Sequence, residues 1–245
     1  MNIFNVSRLT SALPAWRRHG LRVLAAGVLM QAAGCSFASN EDAVSIAPPQ
    51  KDEMVSAPGT ETAVLAGGCF WGVQGVFQHV QGVKKVVSGY AGGKADTAQY
   101  ERVSEGDTGH AESVEITFDP SQVSYGKLLQ IFFSVAHNPT ELNRQGPDSG
   151  TQYRSAIFPE SAEQQAVAQA YIAQLDAAKS FGKPIATKIE SYNGFYPAED
   201  YHQDFLTNHP TYPYIVINDL PKVAQLKQLF ADRYSEKPVL LNTSR

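Results

Sequence analysis

Gly67-Gly68-Cys69-Phe70-Trp71-Gly72 stands where one backbone pattern gives way to another. Ala63, Val64, Leu65 and Ala66 form an apolar run read as a strand over residues 62–66. Val73, Val76, Phe77 and Val80 then recur at helical spacing, so an amphipathic helix is expected from near Cys69. A cysteine in the first turn of a helix lies beside unpaired N–H groups at the positive end of the dipole. That place is expected to lower its thiol pKa and favour the thiolate. The two aromatics that follow are expected to set the sulfur beside an apolar pocket. A free cysteine is often no more than a small buried hydrophobe. The glycine pair, which permits close backbone approach, and the helix start behind it weigh towards a nucleophile.

Working outward, Val83, Val86 and Val87 read as a second strand over residues 83–90, broken by Gly89-Tyr90-Ala91-Gly92-Gly93. Residues 113–119 alternate Val114, Ile116 and Phe118 with polar residues, a half-buried strand that ends at Asp119-Pro120. Leu128, Leu129, Ile131, Phe132 and Val135 predict a helix over 125–135, and a polar loop follows over 138–150. A strand over 153–158, an Ala- and Gln-rich surface helix over 162–181 and a strand over 187–191 complete the pattern. The order is that of an α+β fold, and short connections favour antiparallel pairing.

The 245 residues suit one sizeable domain or two small ones. Hydrophobic residues make up 43% and charged residues 18%, as in a soluble protein, and a net charge of −4 gives no reason to expect nucleic-acid binding. Two cysteines exclude a disulfide-rich scaffold. Arg8, Arg17, Arg18 and Arg22 precede an uncharged run over 23–34 that is too short to span a membrane but suits an export signal. Ala33-Gly34-Cys35 resembles the end of a lipoprotein signal, with Ala32 where Leu is usual. Lipidation of Cys35, plain cleavage near Ala38 and an uncleaved anchor all stay open, as does a twin-arginine against a general export route. The domain expectation is an export signal over 1–35, a Pro- and Ser-rich flexible linker over 36–60, a catalytic domain over 61–232 and a loose tail over 233–245. The expected location is the bacterial cell envelope, either periplasmic or membrane-anchored.

Other candidate groups surround Cys69 in the reading. Glu112, in Thr108-Gly109-His110-Ala111-Glu112, holds a proton if a pocket desolvates it, and is otherwise a solvated strand-end carboxylate. His110, or His137 beside Asn138, offers a base to Cys69 as in a thiol hydrolase, or is a turn residue. Tyr100 and Tyr153 offer phenolic O–H groups, and the polar loop carrying Asp148 suits a site on a rigid scaffold. No spacing supports zinc, a phosphate-binding loop or a dinucleotide.

Five segments in order resemble the signatures of the A-type peptide-methionine sulfoxide reductases over roughly residues 62–215. They are Gly67–Gly72, Gly89–Gly93, Thr108–Glu112, Gly150-Thr151-Gln152-Tyr153-Arg154-Ser155 and Phe195-Tyr196-Pro197-Ala198-Glu199-Asp200-Tyr201-His202-Gln203. The resemblance implies a two-layer ferredoxin-like sandwich with a mainly antiparallel sheet and long loops. It also implies reduction of the S epimer of methionine sulfoxide, free or in proteins. By the same resemblance Cys69 is the nucleophile, and Phe70 and Trp71 hold the substrate methyl group. Glu112 then protonates the sulfoxide oxygen, Tyr100 and Tyr153 hydrogen-bond it, and Asp148 helps orient the site.

The chain departs from that pattern in three places. Asn138 stands where Asp is usual, Gln74 where Glu is frequent, and no cysteine follows Cys69 to resolve its oxidised form. The expectation is a monomeric enzyme without metal or prosthetic cofactor, whose Cys69 sulfenic acid is reduced by an external, thioredoxin-like dithiol. A cysteine hydrolase and a peptide-binding module without turnover are the competing readings.

Overall fold

The computed structural model describes residues 43–53 and 59–241. The expected export signal, with Cys35 and Ala38, lies outside the described residues. The first strand, β1 (Glu61–Gly67), leads into helix α1 (Phe70–Gln78), and β2 (Val83–Ala91) follows. A short helix α2 (Tyr100–Val103), not anticipated from the pattern, precedes β3 (Ala111–Phe118). Helix α3 (Tyr125–Ile131) starts on Ser124, whose hydroxyl accepts from Lys127 N at 3.2 Å, a regular N-cap. It does not continue as an α-helix to residue 135: Phe132–Ala136 widens into a π-helical turn and His137 is extended. The expected polar loop carries a two-residue hairpin, β4 (Arg144–Gln145) with β5 (Asp148–Ser149). Then come β6 (Ser155–Phe158), α4 (Ala162–Ala177), β7 (Lys188–Ile189), β8 (Phe195–Pro197), α5 (Phe205–Asn208) and α6 (Leu220–Leu229).

The main sheet has the order β7-β6-β1-β3-β2-β8, antiparallel throughout except for β6 with β7. Its central four strands, β6-β1-β3-β2, join β1-α1-β2 to β3-α3-β6, the split βαβ arrangement of a ferredoxin-like fold. Strand alternation divides the residues cleanly. Ala63, Leu65, Val86, Val114, Ile116 and Phe118 face the helices with Val73, Phe77, Leu129 and Phe133. Val64, Ala66, Ala91, Ala111 and Ala156 face the other way, beneath Tyr192 and Phe195. Small side chains there let an extended segment lie close to the sheet.

Two stretches differ from the expected linker and tail. Residues 43–53 are docked on the domain: Ile46 is buried, Val44 N donates to Ser134 O at 2.9 Å, and Tyr171 Oη donates to Ala47 O at 2.7 Å. Asp52 Oδ1 accepts from Gly126 N at 2.8 Å in the first turn of α3. A Pro-rich composition reads as linker, yet here it supplies an extended strap whose carbonyls find donors on α3 and α4. At the other end, Ser235 N and Val239 N donate to His79 O and Gln78 O at 2.7 and 2.9 Å, and the Tyr234 ring stacks on His79.

The sheet gathers one edge of the molecule. Gly67 pairs with Ser155 at the start of β6, and Tyr90 pairs with Glu112 near the start of β3. The end of β1, the end of β2, and the beginnings of β3, β6 and α1 therefore meet.

Candidate active site

Gly68 makes the turn from β1 to α1 with φ +88°, a left-handed value that favours glycine, and a Cβ there would overlap Gln145. The next residue, Cys69, is the N-cap of α1 rather than a member of its first turn. It is 9% exposed and is a free thiol.

Glu112 reaches this turn because its strand alternates. It shares the helix-facing side of β3 with Val114 and Ile116 and is 4% exposed. Its Oε2 accepts from Phe70 N at 3.0 Å. Burial, reinforced by Asp148 and Asp219 against the Phe70 hydrogen bond, pushes the carboxyl up to about 8. Glu112 therefore holds its proton through neutral pH and ionises before Cys69 does, so its charge opposes the thiolate at higher pH.

The thiol behaves otherwise than a helix N-terminus alone predicts. Burial first, then the charges of Glu112, Asp219 and Asp148, push Cys69 well above the ordinary thiol range, and the Trp71 N–H only partly offsets them. The expected lowering is corrected accordingly: the helix end is present, but desolvation and three carboxylates outweigh it. Resting Cys69 is a thiol.

Tyr100 and Tyr153 come from separate segments, the start of α2 and the turn before β6. Glu199 holds Tyr100 in place, its Oε1 accepting from Tyr100 N and its Oε2 from Tyr90 Oη, both at 2.9 Å. Tyr153 ends a 3₁₀ turn (Thr151–Tyr153) instead of beginning β6. Burial raises both phenols, with Glu112 and Cys69 adding to the rise, so both remain O–H donors. Asp148 accepts a hydrogen bond from Tyr214 Oη.

Phe70 is buried against Tyr90 and His202, with ring centroids at 5.9 and 5.0 Å. Trp71 is half-buried. Its ring stacks on Phe205 at 3.8 Å and meets the rings of Tyr212 and Tyr214 edge-on, and its Nε1 donates to His202 Nδ1 at 3.2 Å. Tyr214 and Asp219 thus join the site without a sequence signature, and His202, quoted in the last signature segment, joins it without an expected role. Tyr212-Pro213-Tyr214, an aromatic pair after the polar residues 207–211, is the available signal for Tyr214.

The two candidate bases are engaged by other partners. His110 Nδ1 accepts from Gly93 N at 3.2 Å and Nε2 lies 2.9 Å from Lys94 O, so the ring closes the Gly92-Gly93 turn. His137 bridges Phe132 O and Ser155 Oγ at 3.1 and 2.7 Å, and burial depresses it to about 3. Asn138 caps the turn after it, its Oδ1 accepting from Thr140 N at 3.0 Å. Gln74 donates to Val86 O and Gln203 Oε1 at 3.0 and 3.1 Å and accepts from Asp204 N at 2.9 Å. A carboxylate could not make the two donations. Among the described residues, no group of three or more His, Cys, Asp or Glu is placed to hold a metal ion.

The family model described as Peptide methionine sulfoxide reductase matches residues 61–234. Peptide methionine sulfoxide reductase MsrA 2 of Mesorhizobium japonicum is 71% identical over 186 residues, which cover 76% of this chain and 95% of that protein. The chain belongs to the A-type peptide methionine sulfoxide reductase family. The Synechocystis MsrA 2 is 57% identical over 178 residues, covering 73% of this chain and 83% of that protein. Among solved structures, reduced Mxr1 of Saccharomyces cerevisiae matches with TM-score 0.56 and 32% identity over 66% of this chain and 92% of its own. Methionine sulfoxide reductase A of Corynebacterium diphtheriae matches with TM-score 0.54 and 33% identity over 70% and 90%. The ferredoxin-like expectation agrees with these folds.

Proposed function

We propose that this reductase converts the S epimer of methionine sulfoxide, free or in proteins, to methionine at Cys69. The observation that carries the reading is a buried Glu112 hydrogen-bonded to the helix turn that holds the only described thiol, and burial pushes its carboxyl up to about 8. A sulfoxide oxygen leaves sulfur readily only as it takes up a proton, and Glu112 supplies it. Tyr100 and Tyr153 donate to the oxygen as its charge develops. Trp71, in its aromatic cluster, holds the methyl group with Phe70 beneath it, and Asp148, braced by Tyr214, orients the loop. The Cys69 thiolate attacks sulfur. The sulfoxide sulfur gains two electrons, Cys69 loses two, and oxygen passes to Cys69 as a sulfenic acid. Resting Cys69 is protonated, so as its sulfur attacks, the thiol proton passes to the Glu112 carboxylate left by protonation of the oxygen, and the acid is restored.

No cysteine follows Cys69 in these 245 residues. An external dithiol of thioredoxin type therefore attacks the sulfenic sulfur, releases water and then closes its own disulfide. The basic leader supports action in the cell envelope on oxidised exported proteins, and mass spectrometry of the mature N-terminus tests that and the fate of Cys35. A hydrolase reading lacks a base, since both candidate histidines are bonded to other groups.

An epimer-resolved assay with methionine S-sulfoxide and R-sulfoxide tests the activity. Consumption of the S epimer alone is expected. Binding without turnover, or thioester formation from an activated acyl substrate, contradicts the reading.

A further inference from the structure

Asp219 and Lys222 form a buried pair at the edge of the site, and neither touches the substrate in the steps above. Asp219 is fully buried and Lys222 is 3% exposed, with Nζ 3.6 Å from Asp219 Oδ1. Asp219 closes the π-helical turn Ile215–Asp219, which follows Tyr214, and it leads into α6 through Leu220 and Pro221. Its carboxylate rests against Gly72, so closely that a Cβ on Gly72 would overlap it. Gly72 is the third residue of α1, three beyond the Cys69 N-cap.

Stability alone is a poor account of such a pair. Burying two ions costs several kcal/mol, and apolar replacements of similar volume are often neutral or stabilising. Contact with the helix turn that begins at Cys69 supplies the missing role. We infer that the Asp219–Lys222 ion pair is a positioning element of this site: it seats the first turn of α1 against the segment bearing Tyr214, and its carboxylate charge, offset by Lys222, governs how readily Cys69 ionises.

The groups that act electrostatically on the thiol are Glu112 from β3, Asp148 from β5 and Asp219 from the turn before α6, and the phenols of Tyr100, Tyr153 and Tyr214 are coupled to it. Asp219 stands second only to Glu112 among the charges that oppose ionisation of Cys69, and it also acts on Glu112 and Tyr214. Lys222 is the cation that compensates it. One carboxylate placed under the helix turn thus biases both the acid and the nucleophile towards their protonated forms, and so keeps the empty site from exposing a thiolate to oxidants.

This rests on Cys69 being the nucleophile. Alkylation of the thiol by iodoacetamide reads the sulfur without sulfoxide turnover, so a failure of this inference is separable from a failure of that reading. The rate is followed against pH in wild type, Asp219→Asn and Lys222→Met, each checked for folding by circular dichroism. Asp219→Asn is expected to move the midpoint to lower pH by on the order of one unit. Lys222→Met, which leaves the carboxylate without its counter-ion, is expected to move it upward. Loosening of the structure alone would move both variants the same way. Shifts in one direction, or none, in the folded proteins would overturn the inference. If Asp219→Asn does not fold, Lys222→Met decides: a rise supports it and no rise overturns it.

Discussion

Phe70 N donates to Glu112 Oε2 across 3.0 Å, so the acid on β3 is fastened to the turn that carries the sulfur. The bond fixes one carboxyl oxygen. A glutamine oxygen accepts the same bond, so Glu112→Gln is expected to fold and bind normally. It lacks the proton, and its single-turnover release of methionine should fall about 10²- to 10⁴-fold. An unchanged rate would remove Glu112 from its role.

Burial of Glu112 also links stability to pH. The folded carboxyl sits at about 8 against an ordinary 4.5, so the folded state binds its proton more tightly than the unfolded chain does. That contribution is complete below about 4.5, declines as pH rises, and is lost as pH passes through about 8. Glu53, pushed up to about 8 by burial and by Glu61, acts in the same sense. The melting temperature should fall from pH 6 to pH 9, and Glu112→Gln should recover part of the fall. Parallel losses in wild type and variant would show that Glu112 is not the group responsible.

The strap over residues 43–53 makes a separate prediction. Asp52 accepts from Gly126 N and from the Ser124 hydroxyl at the start of α3. Asp52→Ala should lower stability by about 1 kcal/mol, as loss of a helix cap does, with little change in sulfoxide reduction. Denaturant unfolding measures it, and an unchanged midpoint would mean the strap contributes nothing to α3.

Much of this architecture is legible in the sequence where side chains repeat at a fixed period. Val114, Ile116 and Phe118 mark the inner face of β3, and the same alternation places Glu112 on that face. The apolar spacing from Val73 to Val80 marks α1. The region from Phe195 to Asp219 has no such period. It is built of short turns held by individual side chains: Glu199 on Tyr100, Gln203 on Ser88, and His202 among Phe70, Trp71 and Tyr100. Tyr214 meets Trp71 and Asp219 meets Gly72 only through that path. The thiol's protonation is not legible in the sequence for a related reason. A helix start is visible locally, whereas the carboxylates of Glu112, Asp148 and Asp219 converge from three distant segments.

The central claim is that Cys69 alone carries out the oxidation–reduction step. The direct test mixes one equivalent of enzyme with excess methionine S-sulfoxide and no reductant, then counts methionine and traps sulfenic acid with dimedone. The account predicts one methionine per enzyme, a dimedone adduct on Cys69, and neither product in Cys69→Ser. Methionine formed by Cys69→Ser, or several turnovers without any thiol, would contradict it.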